Sequence, residues 1–161
     1  VIQDIEIIKN IDMTVIRKIA QIIYQYPKVT AFGTLFSQLG ALDLQYKLAY
    51  NHKFIMSYVN DVKQDKYLKN NSEQGVVIIY SNSGNYLNKY QLSSFDEKKK
   101  YDYKNKKVIL ITANEMMVNH PDVDICLVYQ HLSKLQTHSY IYPLINDLIV
   151  AEYRSFQNAN F

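Results

Sequence analysis

Gly75-Val76-Val77-Ile78-Ile79-Tyr80, running straight into Ser81-Asn82-Ser83-Gly84-Asn85-Tyr86, decides the reading of this chain. The first six residues are an unbroken apolar run of strand length. A strand with one wet face alternates apolar and polar residues, whereas a strand buried on both faces does not, and such strands belong to parallel sheets. Two further runs have the same character, Val108-Ile109-Leu110-Ile111 and Ile125-Cys126-Leu127-Val128. Two weaker candidates lie upstream: Lys28 to Phe32, ended by Gly33, and Lys53 to Tyr58.

Helical periodicity fills the intervals. Val15, Ile16, Ile19, Ile22 and Ile23 mark a helix from about Asp12 to Gln25, closed by Pro27. Leu39, Leu42, Tyr46 and Ala49 form the apolar stripe of a second. A short helix is expected over Asp61 to Lys69, a lysine-rich one from Asp96 to Lys107, and a long one from about Ser139 to Phe156. Strands separated by helices imply right-handed crossovers. The expected fold is therefore α/β, a three-layer α-β-α sandwich around a five-stranded parallel sheet of flavodoxin-like kind. Neither a repeat nor a low-complexity linker divides it. Residues 1–161 read as one domain, with 1–26 as leading linker and first helix.

Composition narrows the function classes. The chain has 161 residues, 48% of them hydrophobic, and a net charge of only +3. It contains no apolar run long enough to span a bilayer and no signal-peptide pattern, so no membrane partner is expected. The single Cys126 allows no internal disulfide, which suits a cytoplasmic setting. Lys98, Lys99, Lys100, Lys104, Lys106 and Lys107 read as a solvated face, and the two arginines, Arg17 and Arg154, are too few for direct DNA reading. The chain opens on Val1 rather than methionine, which we read as a part of a longer polypeptide.

In an open parallel sheet, ligands sit outside the carboxyl ends of the strands. Two of the four glycines, Gly33 and Gly84, fall in loops at that edge. The first loop is Phe32-Gly33-Thr34-Leu35-Phe36-Ser37. The second, Ser81 to Tyr86, is rich in hydroxyls and leads towards another helix. Open backbone N–H groups with serine hydroxyls suit a phosphate. The same residues also suit a plain helix cap and turn.

These blocks resemble the sugar isomerase (SIS) domains of RpiR-type transcriptional regulators. That family has a first loop Phe-Gly-x-Gly-x-Ser, then Ala, Asp and Lys-Leu on the following helix. Here Gly33 and Ser37 match, with Ala41, Asp43 and Lys47-Leu48 after them. The family's second loop, Ser-x-Ser-Gly-x-Thr, is matched by Ser81, Ser83 and Gly84. Val108 to Thr112, ending Ile-Thr, is similar to its next strand, and Val123-Asp124-Ile125 to the opening of its last. The resemblance implies that Gly33, Ser37, Ser81, Asn82, Ser83, Gly84, Asn85 and Tyr86 hold a phosphorylated sugar effector. Hydroxyls of Ser37, Ser81 and Ser83 and N–H groups from Asn82 to Tyr86 would grip the phosphate. It also implies a homodimer or higher homo-oligomer, with DNA reached only through a helix-turn-helix domain upstream. Leu35 replaces the family's second glycine. Tyr86 replaces its threonine, and can either close over the sugar or fill the phosphate site.

No cofactor or metal is expected, since no dinucleotide fingerprint, phosphate-cradling lysine loop or metal-ligand spacing is present. Isomerisation would need a base, and Glu115, after the fourth strand, is the one reasonable choice. His120, His131 and His138 are scattered, although His138 opens the last helix, from which it could reach across a dimer. The preferred expectation is a sugar-phosphate-sensing and dimerisation domain of a regulator of carbohydrate metabolism, not an enzyme. A phosphosugar isomerase and a degenerate domain that only dimerises stand as alternatives. The first and last helices are candidates for the dimer face or for the core.

Overall fold

A computed structural model describes residues 9–70, 73–92, 98–130 and 141–160. The elements in chain order are α1 (Met13–Gln25), β1 (Val29–Gly33), α2 (Ser37–Tyr50), β2 (Met56–Ser57), α3 (Asp61–Asn70), β3 (Gly75–Tyr80), β4 (Lys106–Thr112), β5 (Ile125–Val128) and α4 (Ile141–Ala159). Two single 3-10 turns, Asn85–Asn88 and Glu115–Asn119, follow β3 and β4. The five strands form one all-parallel sheet in the order β2-β1-β3-β4-β5. This is the expected α/β sandwich.

The central strand behaves as its sequence requires. Every residue of β1 and β3 is buried. Alternate side chains serve opposite cores. Val76, Ile78 and Tyr80 face the aliphatic core of α1, α2 and α4, whereas Val77 and Ile79 join Phe32, Leu68, Tyr86, Tyr103 and Leu110 on the other side. Each such aliphatic side chain contributes roughly 1.5–3 kcal/mol by leaving water. The register aligns Gly33 with Tyr80 and Tyr80 with Ile111, so the loops after β1, β3 and β4 leave from one edge. Between β1 and β3 the strand order reverses, and a crevice opens at such a point.

Three local expectations are corrected. The stripe Leu39, Leu42, Tyr46 and Ala49 is not the buried face of α2; Ser37, Gly40, Ala41, Leu44 and Leu48 are. The reason is close approach. A Cβ on Gly40 would come within 2.9 Å of the rings of both Tyr142 and Tyr80, so small residues, not large ones, face the aromatic layer. No helix is present among the described residues of the lysine-rich segment. Lys100 bridges antiparallel to Tyr90, and Tyr101 and Tyr103 turn inward at a period of two, with Tyr103 buried. The tyrosines' burial outweighs the helical preference of the lysines. Finally, the loop after β3 leads only into the 3-10 turn, not into an α-helix, so no helix dipole serves it.

α1 and α4 supply core. Ile16, Ile19 and Ile23 of the first and Ile145, Ile149 and Tyr153 of the second are buried together. Among the described residues no helix is long and apolar enough to cross a membrane.

Candidate functional site

The β1 loop folds back on itself. Ser37, Gln38 and Leu39 donate their N–H groups to the carbonyls of Thr34, Leu35 and Phe36 at 3.0–3.1 Å. That tightness leaves no room at Gly33, where a Cβ would lie 2.4 Å from the Ser37 carbonyl oxygen. Leu35 takes φ 52°, the left-handed conformation that suits glycine, and its side chain projects outward, 83% exposed. The leucine therefore keeps the backbone path of a glycine, at a strain on the order of 1 kcal/mol. Ser37 is buried, with Oγ 3.3 Å from the Tyr142 hydroxyl.

The β3 loop is built differently. Gly84 sits at φ 79°, against Met117. Its N–H bonds the Ser81 carbonyl at 3.1 Å. Asn85 N–H donates to Ser83 Oγ at 3.2 Å, and Tyr86 N–H to Ser81 Oγ at 3.3 Å. The N–H groups of Asn82 and Ser83 have no acceptor among the described residues, and Ser83 is exposed. Ser81 is buried. The loop is tied to the end of β4: the Thr112 hydroxyl and Ala113 N–H both donate to the Asn82 carbonyl at 3.0 Å, and Asn114 Nδ2 donates to the Ser83 carbonyl at 2.9 Å.

Tyr86 neither closes over the crevice nor fills it. Its side chain turns to the second core, stacks on Phe32 at 6.3 Å, and donates its hydroxyl to Gln64 Oε1 at 2.6 Å. Gln64 Nε2 in turn donates to the carbonyls of Gly33 (2.8 Å) and Tyr58 (2.7 Å). This is a brace between the two loops on one side of the sheet. A second brace lies on the other side. Tyr129, just past β5, donates to Asn82 Oδ1 at 2.7 Å and lies 3.1 Å from the Tyr142 hydroxyl, which meets Ser37. Burial pushes the phenols of Tyr86, Tyr129 and Tyr142 above their ordinary range, so all three stay protonated and able to donate.

Beside Tyr129 a cavity of about 790 Å³ opens at the ends of β4 and β5, lined by Asn10, Ala113, Glu115, Val118, Val128, Tyr129 and Gln130. That volume suits a small ligand. Glu115 thus stands at the correct edge, exposed on its 3-10 turn. His120 accepts the Asp122 N–H at 3.1 Å. His131 and His138 lie outside the described residues. Burial pushes the Cys126 thiol up to about 11, so it is a poor nucleophile near neutral pH. Among the described residues no cluster of histidine, cysteine and carboxylates could hold a metal.

The structure brings Gly33 and Ser37 to one loop and Ser81 to Tyr86 to its neighbour, at one sheet edge. The hydroxyls of Ser37 and Ser81 and the N–H groups of Gly84, Asn85 and Tyr86 are engaged within the protein; exposed Ser83 accepts the Asn85 N–H at its Oγ, while its hydroxyl proton and the N–H groups of Asn82 and Ser83 meet no acceptor among the described residues. The sequence reading missed Gln64, Tyr129 and Tyr142, whose partners are 6 to 105 residues away.

No protein-family model and no curated protein matches this sequence. Solved structures do. The sugar isomerase domain of an RpiR transcription factor from Sphaerobacter thermophilus superposes with TM-score 0.72 at 15% identity, over 98% of this chain and 88% of the other. A Bacteroides fragilis protein assigned as a phosphosugar isomerase involved in capsule formation gives 0.68 at 16%, over 96% and 86%. The Vibrio vulnificus NanR protein complexed with ManNAc-6P gives 0.67 at 16%, over 95% of this chain and 59% of that one. The chain has the fold of SIS domains. The proteins that share it include regulators and proteins assigned as isomerases.

Proposed function

We propose that this chain is a phosphosugar-sensing domain, and that it serves a transcriptional regulator rather than catalysing isomerisation. The carrying observation is the β3 loop. It leaves the Ser83 hydroxyl proton and the N–H groups of Asn82 and Ser83 without an acceptor among the described residues, uncharged, at the switch point of the sheet and next to the Tyr129-lined cavity. Donors without charge on a tied-down loop suit the phosphate, and the cavity suits the sugar. The bound state of NanR, a protein of the same fold, supports this ligand class. In this reading the effector spans the β3 loop and the cavity beside it; the Tyr129 brace carries the change to α2 and α4, and the Tyr86–Gln64 brace carries it to α3 and the β1 loop, as a shift between states. DNA contact belongs to a helix-turn-helix unit joined upstream. The setting is the cytoplasm, where phosphorylated sugars are found.

Glu115 favours the second reading, a phosphosugar isomerase, because it lines the cavity. Against it, no hydrogen bond among the described residues orients its carboxylate, and a working base must be held within reach of the proton it takes.

A thermal-shift screen of phosphorylated sugars beside their unphosphorylated parents tests the sensor. Ligand at about a hundred times its dissociation constant adds about 2.7 kcal/mol, or roughly 5–10 °C for a chain of this size. The expected result is a shift that requires the phosphate and vanishes in Ser83→Ala. A screen flat across ketose, aldose and amino-sugar phosphates overturns it. Turnover abolished in Glu115→Gln establishes the isomerase instead.

A further inference from the structure

The net charge of +3 conceals a separation. Residues 53–107 carry eleven lysines against six acidic residues, while the rest of the chain carries seven basic residues against nine acidic ones. The first part is therefore +5 and the remainder −2. The fold gathers much of the basic part into one layer. α3 and the segment after β3 cover the same side of the sheet, where Leu68, Tyr86, Tyr101 and Tyr103 share a core, whereas α1, α2 and α4 cover the other side.

Within this layer the acids of α3 are spent on ties and the lysines face water. Asp65 Oδ1 accepts the Leu92 N–H at 2.9 Å and the Tyr101 hydroxyl, and Lys89 Nζ lies 3.1 Å from Asp61, so both carboxylates hold down the ribbon in which Tyr90 bridges to Lys100. Lys63 and Lys66, three residues apart and so neighbours on α3, are exposed. Lys98, Lys99, Lys100 and Lys104 are exposed on the ribbon and just beyond it. None of these six pairs with a carboxylate among the described residues. Lys98 and Lys100 stand over the half-exposed Tyr90 ring, 5.8 and 6.0 Å from its centre. Like charges gathered this way repel one another, and a polyanion relieves the repulsion.

We infer that this layer binds the phosphate backbone of duplex DNA without reading its bases. The residue type points to phosphate. A lysine is a point charge that neutralises a phosphate, whereas base edges are gripped by arginine's planar fork, and Arg17 and Arg154 stand on α1 and α4, across the sheet. The spread points to a long anion. The six lysines lie along two elements rather than ringing a pocket, and a duplex offers a phosphate for about every 1.7 Å of its axis. A protein partner would want an aromatic anchor, and the exposed ring of the ribbon, Tyr90, is already taken by Lys98 and Lys100. Base reading stays with the upstream unit proposed above. This contact adds a sequence-independent attraction on the layer opposite α1, α2 and α4, and it does not depend on the effector site.

Fluorescence anisotropy of a short labelled duplex of mixed sequence, titrated with this chain, tests it. The expected dissociation constant is on the order of 10⁻⁵ M at low salt, the same for unrelated sequences. Contact with about four to six phosphates should make log K fall against log[salt] with a slope of roughly −4 to −5. Lys66→Glu with Lys99→Glu takes one charge from each element. It should weaken binding by roughly tenfold or more and reduce the slope by about 2. Both side chains lie in water, so the variant should keep its far-ultraviolet circular dichroism. Arg17→Glu with Lys18→Glu makes the same change in net charge on exposed positions of α1 and should stay within about threefold of the parent, since salt screens charges farther than about 10 Å. No binding up to about 100 µM chain at low salt overturns the inference. So does an equal loss in the α1 variant, because net charge alone then drives the binding. Stronger binding to phosphatidylserine vesicles than to a duplex of equal charge also overturns it, and assigns the layer to a membrane surface instead.

Discussion

The two loops at the edge of the sheet carry similar residues and use them in opposite ways. The β1 loop is closed by its own backbone: Gly33 is pressed against Ser37, and the Ser37 hydroxyl points inward to Tyr142. The β3 loop is anchored from below through Asn82, Thr112 and Asn114, which frees its tip, Ser83, for solvent. A serine at a matching position is thus not evidence of a ligand contact; what its hydroxyl already bonds decides. The β1 loop spends its serine inside the protein, and the β3 loop keeps an exposed serine at its tip.

Gly33→Ala should break this arrangement most severely. The added methyl meets backbone at 2.4–2.8 Å, and backbone cannot swing aside. A loss of about 3 kcal/mol or more is expected in urea denaturation, together with loss of effector binding. Gly84→Ala is the matching change in the β3 loop. It combines a positive φ with a clash at 2.5 Å, but the obstacle is the flexible Met117 side chain. A smaller loss, about 2 kcal/mol, is expected. If Gly84→Ala costs as much as Gly33→Ala, the β3 loop is as rigid as its neighbour and the contrast fails.

Tyr86→Phe probes the brace. It keeps the stack on Phe32 and leaves Gln64 Oε1 buried without its donor, for an expected loss of about 1–2 kcal/mol. Because Gln64 also holds the Gly33 carbonyl, affinity for a phosphosugar should fall in the same variant, although Tyr86 does not face the crevice. Unchanged affinity would separate the brace from the site.

How far the sequence showed this depends on what the residues meet. β3 was legible because a strand with two dry faces has no polar position to hide. The loops were legible because strand ends place them. The buried face of α2 was not, because Ser37, Gly40 and Ala41 are buried for being small, and hydrophobicity overlooks smallness. The roles of Tyr86, Tyr129 and Tyr142 were not either, since a tyrosine's hydroxyl finds its partner only after distant segments meet. Tyr86 shows the limit of comparing motifs: in place of a threonine it has left the loop for the core.

Ser83→Ala should scarcely alter stability, within about 0.5 kcal/mol for an exposed residue, while lowering phosphosugar affinity by roughly tenfold. The smallest effect is expected in the other loop. Leu35→Gly relieves a left-handed backbone worth roughly 1–2 kcal/mol and adds a backbone entropy cost of roughly 0.5–1 kcal/mol. The exposed side chain contributes little packing within one chain. A net gain of about 0.5 kcal/mol is expected at high dilution, read from the urea midpoint. A loss instead would mean that its side chain, not its backbone, shapes the β1 loop.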